Sequence, residues 1–518
     1  MSMGHGASGL LVGYGLAVVG LAAGLIAVRG PGRRWLVVPL VAAPLAAASA
    51  LLWSLVLGAT PRLVALLGPR LTAIGGGALI LAVGVLVGIL TRRQSAGARV
   101  ERGTRVVDPP WPADRTFGPR ATLIHCAGQV VPAADETKHF KLVGTTGTGK
   151  STAIRGLLRG ALVRGDRAVI ADPDGAYTAA FFDPGRGDVI LNPFDARSMR
   201  WDLFGELRKS YDGDLLARAL IPDHGGEDRA WRAYARTFLG ACLRQLARAG
   251  CRDVGALYHL VTTAPIDELR LLLAATAASP YLSDDNARFF ASVRALASVQ
   301  LAPLEHLSEP AGAPSLSLRD WVRDGSASPT HGIVFLPYRA SQIATLRSVV
   351  STWMRLAIFE AMELPEGDHR LWFVVDELDA LGPIDGLKDA LARLRKFGGR
   401  CVLGFQSIAQ VSGTYGAADA QTIVENCGNT LILRCSAAEH GGTARFASRL
   451  IGEREVLREQ VSRVQGGFFE KPRRSRTVSL QRVTESAVLP AEIEQLPDLC
   501  GYLKFASGRD WLRVRMTP

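Results

Sequence analysis

Nine consecutive residues, Gly144-Thr145-Thr146-Gly147-Thr148-Gly149-Lys150-Ser151-Thr152, restrict what this 518-residue chain can fold into more than any other feature. They fit G-x-x-x-x-G-K-[ST] in full, and their surroundings fit too. HFKLV before them reads as a buried strand. AIRGLLRGALVR after them reads as a helix with Ile154, Leu157, Leu158 and Leu162 on one face. Main-chain N–H groups can curl around phosphate oxygens only where no Cβ intervenes, and the helix N-terminus adds partial positive charge. All nine residues are therefore candidate nucleotide-binding positions. Lys150 is expected to reach the β- and γ-phosphates, and the Ser151 hydroxyl to ligate Mg²⁺.

Binding alone is not hydrolysis, which needs carboxylates. The apolar run Leu371-Trp-Phe-Val-Val375 ends in Asp376-Glu377. A carboxylate at the tip of a buried strand is costly unless something ligates it. Asp376 is suited to hold Mg²⁺ through water, and Glu377 to orient and polarise an attacking water. Acidic strand ends also occur without any such role. A second buried-strand pattern, Cys401-Val-Leu-Gly404-Phe, is followed by Gln406 and Ser407. The Gln406 amide either touches the γ-phosphate or the attacking water, and so reports hydrolysis, or satisfies a local turn.

The distance from Lys150 to Asp376 exceeds what a minimal nucleotide-binding core requires, so something is inserted. Strand-like RAVIAD (167–172) and DVILN (188–192) are followed by helical periodicity from about 211 to 325, and strands resume at GIVFLPY (332–338). Tyr502–Ala506 and Arg509–Met516 read as a hairpin turned at Ser507-Gly508. The expected fold is α/β, a P-loop domain built from 99–210 (with the phosphate loop) and 326–518 (with the acid pair), interrupted by an all-α domain at 211–325.

Residues 1–98 differ in character. The composition, 48% apolar with mean hydropathy +0.15, excludes a disordered chain. The net charge of +12 is unevenly spread: residues 1–93 hold seven arginines and no acidic residue. The rest carries only a slight basic excess, too weak to argue nucleic-acid binding by itself. Three uncharged stretches, Gly9–Val28, Trp35–Thr60 and Leu71–Leu90, are each long enough to cross a bilayer, and the first is too long for a signal peptide. Arg29, Arg33 and Arg34, then Arg92, Arg93 and Arg99, place those two loops in the cytoplasm and the N-terminus outside. The expectation is a transmembrane anchor at 1–98. Seven scattered cysteines without a CxxC pair read as free thiols, neither a disulfide framework nor a zinc site. The basic stretch KPRRSR (471–476) is either a solvated loop or a contact to a phosphate backbone.

Assembled in order, these motifs resemble those of the type IV secretion coupling proteins, the TraD/TrwB group of FtsK/HerA-like translocating ATPases. The resemblance covers about 99–518. It is carried by KLVGTTGTGKST, AVIADPDG, LNPFDARSMRWDLF, VVDELDAL and LKDALARLRKFGGRCVLGFQSIAQVSGTYGAADAQTIVENCGNTLILR. It implies a RecA-like P-loop NTPase domain with an inserted all-α domain and an N-terminal transmembrane helical region. It also implies an ATPase using ATP and Mg²⁺, assembled as a homo-hexamer on the bacterial inner membrane, multi-pass, with its ATPase domain in the cytoplasm. Such a ring brings a relaxase-bound DNA strand from relaxosome proteins to the components of the secretion channel during conjugation. By residue-wise correspondence, Lys150 and Ser151 match the P-loop pair, Asp376 and Glu377 the acid pair, and Gln406 the phosphate-sensing amide. Arg395 matches the arginine that reaches a neighbouring subunit's nucleotide; its other reading is a solvated helix-end cation. A coupling protein recruiting mainly protein effectors, a chromosome-type DNA translocase and a non-catalytic receptor are the other readings. The chain departs from the family pattern in its three spans, where two are usual with the N-terminus inside. No long tail follows the hairpin, so tail-dependent relaxosome contacts are expected to be missing or made by the helical module.

Overall fold

The computed structural model describes residues 99–109, 123–223, 228–307, 314–324, 332–437, 442–464 and 475–517. The expected spans at 9–28, 35–60 and 71–90, and residues 471–474 of the basic stretch, lie outside the described residues. Among those described, no helix is long and apolar enough to cross a membrane. The described residues fall into two units, one within 99–101 and 455–483 and one within 102–454 and 484–517.

The larger unit is organised by a ten-stranded sheet. In chain order its strands are β1 (Val106–Val107), β2 (Phe140–Val143), β3 (Arg167–Pro173), β4 (Val189–Ile190) and β5 (Ile333–Tyr338). They continue with β6 (Leu371–Val375), β7 (Gly399–Phe405), β8 (Asn429–Ile432), β9 (Cys500–Lys504) and β10 (Trp511–Arg515). Across the sheet they run β1-β10-β9-β8-β2-β7-β6-β3-β5-β4. The seven strands from β8 to β4 pair in parallel, whereas β9 joins β8 and β10 joins β9 antiparallel.

Both faces of the parallel part are covered, which is why its strands are nearly continuous apolar runs. The pleat sends alternate residues to opposite layers. Leu142, Ile170, Phe335 and Val374 join the core beneath helix α1 (Lys150–Val163), together with Ile154, Leu157 and Leu158. Val143, Val169, Leu336 and Phe373 face the other core, shared with the helix Ala340–Ala361.

The interval expected to be helical holds α-helices at 212–220, 229–248, 254–262, 266–273, 287–301 and 318–324. It also contains the two-residue strand Ser315–Leu316, paired in parallel with Arg200–Trp201. The first and last of these helices pack on Ala340–Ala361, so the ends of the interval are fixed to the α/β layer. The hairpin read from sequence is formed by β9 and β10. Not anticipated were the long strands Glu453–Val464 and Ser475–Ser486, which form a three-stranded sheet with Arg99–Gly103. All seven cysteines are free thiols.

Candidate nucleotide site

The phosphate loop leaves the C-terminal end of β2, the second of the seven parallel strands, flanked by β8 and β7. Its neighbours hold the loop at both ends. Gly144 N–H donates to the Phe405 carbonyl (3.3 Å), and Thr145 N–H to that of Arg434 (2.9 Å). Inside the loop the Thr148 hydroxyl donates to the Thr145 carbonyl (2.7 Å). Gly147 and Gly149 have φ of +77° and +116°, in the left-handed region. At Gly149 a Cβ would also meet Met516 Cε at 2.7 Å and Leu499 Cδ2 at 2.9 Å. The residues flanking and ending β9 and β10 thus line the loop, and the Leu499 N–H donates to the Thr148 carbonyl (2.9 Å). Ser151 and Thr152 open α1 and are half-buried.

Lys150 is buried and donates to the loop carbonyls of Gly144 (2.7 Å) and Thr145 (3.3 Å). Burial lowers its pKa, and Asp376 and Glu377 partly restore it. An ammonium held by two carbonyls of the phosphate loop is placed to meet phosphate charge.

β6 lies two strands from β2, with β7 between, and the three strand ends are level. Leu142 pairs with Gly404, and Val375 with Leu403. That register brings Asp376, Glu377 and Gln406 to the loop. Ser151 Oγ donates to Asp376 Oδ2 at 2.7 Å. Asp376 Oδ1 is buried without a hydrogen-bond partner, an arrangement a cation or its bound water can satisfy. Ser151 and Asp376 therefore suit Mg²⁺ as a hydroxyl–carboxylate pair. Beyond them, the Thr146 hydroxyl donates to Gln406 Oε1 (3.0 Å) and Gln406 Nε2 to Glu377 Oε1 (3.0 Å). The Gln406 amide thus bridges loop and carboxylate instead of closing a local turn. Burial raises the Glu377 carboxyl above its usual range. The Gln406 hydrogen bond opposes that shift, while Asp376 and Asp379 reinforce it. A carboxylate so perturbed, with one oxygen oriented, can accept a proton from water.

Arg395 is not brought to these groups. It is exposed in the turn Leu394–Phe397 that leads into β7, whereas Gln406 follows that strand's other end, roughly 20 Å away at ~3.3 Å per residue.

Two site residues escaped the sequence reading. Tyr177, 1% exposed, donates its hydroxyl to Asp376 Oδ2 at 2.7 Å. Asp172, fully buried at the end of β3, accepts the N–H groups of Tyr177 (3.0 Å) and Thr178 (2.6 Å) and the Thr178 hydroxyl (2.7 Å). It thereby fixes the start of the short helix that carries Tyr177. The available signal was the acid closing RAVIAD, an apolar strand ending like LWFVV-D. Tyr177 and Ser151 both donate to Oδ2, while Oδ1 has no hydrogen-bond partner. Tyr177→Phe is expected to leave nucleotide affinity without Mg²⁺ unchanged and to cut the gain on adding Mg²⁺ about tenfold, the usual value of one hydrogen bond to a charged group. Titrating a fluorescent ADP analogue with and without Mg²⁺ reads this; an unchanged gain would refute it.

A largely parallel sheet with a phosphate loop on an inner strand, an acid pair two strands away and a helical segment between the motifs defines a RecA-like nucleotide-binding protein with a helical domain. Residues 123–517 match the family model for the type IV secretion-system coupling protein DNA-binding domain. Coupling protein TraD of Escherichia coli K12 is 32% identical over 375 residues, 71% of this chain and 51% of TraD, so the chain spans about half of that relative. The type IV secretion system-coupling protein VirD4 of Bartonella henselae is 30% identical over 141 residues, 27% of this chain and 21% of VirD4. Among solved structures, the unbound conjugative coupling protein TrwBdeltaN70 superposes with a TM-score of 0.70 at 33% identity, covering 82% of this chain and 95% of that one. TrwB in complex with ADP and Mg²⁺ gives 0.69 at 32%, covering 82% and 96%. The chain belongs to the type IV secretion coupling proteins of the TraD/TrwB family.

Proposed function

We propose that this protein is an ATP-hydrolysing coupling protein that links a relaxosome to a type IV secretion channel and drives DNA transfer in conjugation. The observation that carries this reading is the interlock at the phosphate loop: Ser151 on Asp376, and Thr146 through Gln406 on Glu377. Loop, metal position and water-activating carboxylate are held as one unit. Loss of the γ-phosphate can then be transmitted through Gln406 along β7. That TrwB has been solved with ADP and Mg²⁺, and with an ATP analogue, supports the same ligands here. Lys150 would bind the β- and γ-phosphates, Ser151 and Asp376 the Mg²⁺, and Glu377 would take the proton of the attacking water. When bound, Mg²⁺ would help to neutralise the charge of the β- and γ-phosphates.

Arg395 fits a role across a subunit boundary. Being exposed and remote from its own chain's loop, it can serve only a neighbour's nucleotide, as a homo-hexameric ring would require. Residues 1–98, with their uncharged stretches and flanking arginines, would anchor the ring in the inner membrane with the nucleotide domain in the cytoplasm. The purified chain is expected to hydrolyse ATP several-fold faster when single-stranded DNA is added. A phosphate-release assay checks this, and a rate indifferent to DNA would point to protein cargo instead.

A further inference from the structure

On the same sheet edge as the phosphate loop, beyond the acid pair, the ends of β3 and β5 border a cleft of about 470 Å³. Tyr338 lines it; the residue is 3% exposed and its hydroxyl has no hydrogen-bond partner. At the rim Phe194 leaves 44% of its surface exposed. Its ring is held on a rigid turn. The Phe194 N–H donates to Asn192 Oδ1 (2.8 Å), while Asn192, itself buried, donates Nδ2 to the Pro337 carbonyl (2.9 Å). The His306 ring supports Phe194 from one side at 5.0 Å.

Two guanidinium groups border the cleft, and they are not equivalent. Arg197 is bound in a fork to Asp195 at 3.0 and 2.7 Å, so each largely cancels the other. Arg339 is exposed, forms no ion pair among the described residues and stands at the N-terminus of the 22-residue helix Ala340–Ala361, whose N–H groups add positive potential there. Asp174 is the remaining charged group in the lining, and it repels an anion from its own part of the wall.

An aromatic face held open, an exposed cation beside a helix N-terminus that makes no direct ion pair among the described residues although Asp195 feels its charge, and a buried hydroxyl lacking a partner together match a base and a single phosphate. A free nucleoside triphosphate carries several negative charges, more than Arg339 alone can balance, and Asp174 repels the excess. Each unit of a polynucleotide carries one. We propose that this cleft holds one nucleotide unit of a single-stranded nucleic acid, its base stacked on Phe194 and its phosphate against Arg339. The inference rests on the reading of this protein as a DNA-transfer motor and places a strand contact beside the acid pair.

The test uses the full chain, a fluorescein-labelled oligothymidylate and fluorescence anisotropy. Phe194→Ala and Arg339→Ala are each expected to raise the strand's Kd about tenfold, in keeping with the loss of one stacked base or one phosphate contact, while binding of a fluorescent ADP analogue stays unchanged. Both side chains are exposed, and the unchanged ADP binding verifies that the variants fold. Strand affinity equal to that of the parent in both variants would overturn the cleft and leave the functional reading standing. A parent chain that binds no strand would overturn both. As a second measurement, a strand carrying 5-iododeoxyuridine should photo-cross-link to residues 192–197. Cross-links confined to other segments, or labelling of 192–197 by 8-azido-ATP, would also overturn the inference.

Discussion

Glu377→Gln should lower ATP turnover by about a thousandfold while nucleotide affinity stays within about twofold. The magnitude is that expected when a positioned general base is removed from a site whose other parts survive. The contacts predict which half of the function is lost. Lys150 is bonded to two loop carbonyls and Ser151 to Asp376, and none of these hydrogen bonds passes through Glu377. Glu377 accepts from Gln406, and a glutamine oxygen can accept the same bond. The fold is not expected to suffer. Because burial raises the Glu377 carboxyl above its usual range, the folded state holds that proton more tightly than the unfolded chain does. Its charged form therefore costs stability once the pH exceeds the unfolded value, and a neutral amide removes that cost. In the parent protein the same shift moves the acid limb of the pH–rate profile upward, with turnover falling as pH drops through the raised value. Single-turnover hydrolysis alongside equilibrium binding of an ADP analogue separates the two effects. Residual turnover near the parent rate would exclude Glu377 as the base.

Gly404→Ala is the second large effect, and it arises from packing. β7 runs between β2 and β6, and a Cβ at 404 would lie 2.3 Å from the main-chain oxygen of Asp376 and 3.0 Å from its Oδ1. The neighbouring group is backbone, and it is tied down: the Leu378 N–H donates to the Gly404 carbonyl at 2.9 Å. Accommodating one methyl group means displacing the peptide that aims Asp376 at Ser151. Overpacking of this kind costs about 3 kcal/mol, and here the strain falls directly on the metal position. We expect a lower denaturation midpoint in urea together with loss of the Mg²⁺-dependent part of nucleotide binding. A variant with parental stability and parental Mg²⁺ response would show that the strand ends yield to a methyl group without moving Asp376.

Much of this site is legible in the sequence, for a definite reason. Phosphate binding depends on main-chain geometry at consecutive residues, so Gly144 to Thr152 announce themselves locally. Asp376 and Glu377 follow from the rule that acids do not end buried strands idly. Gln406 stayed ambiguous because its role depends on β7 lying between β2 and β6, a strand order no local pattern encodes. Tyr177 and Asp172 were missed because their partners are distant in the chain: the Tyr177 hydroxyl matters only once β3 and β6 are neighbours. The long strands Glu453–Val464 and Ser475–Ser486 were missed because their polar, charge-rich sequences lack the apolar alternation of a half-buried strand. Arg395 shows the opposite limit, since its place in one chain explains little and its proposed role needs a second copy.

The seating of β2 bears on how this protein is made. That strand is among the first parts of the sheet to emerge during synthesis, yet it is flanked only by β7 and β8, from residues 399–405 and 429–432. Until those segments exist, the hydrogen-bonding groups on both its edges have no sheet partner, a long wait for an apolar strand in a crowded cell. The nascent chain should therefore depend on holdase chaperones, and it gains the ability to grip ATP late in its synthesis, so a prematurely terminated product would be an inert one.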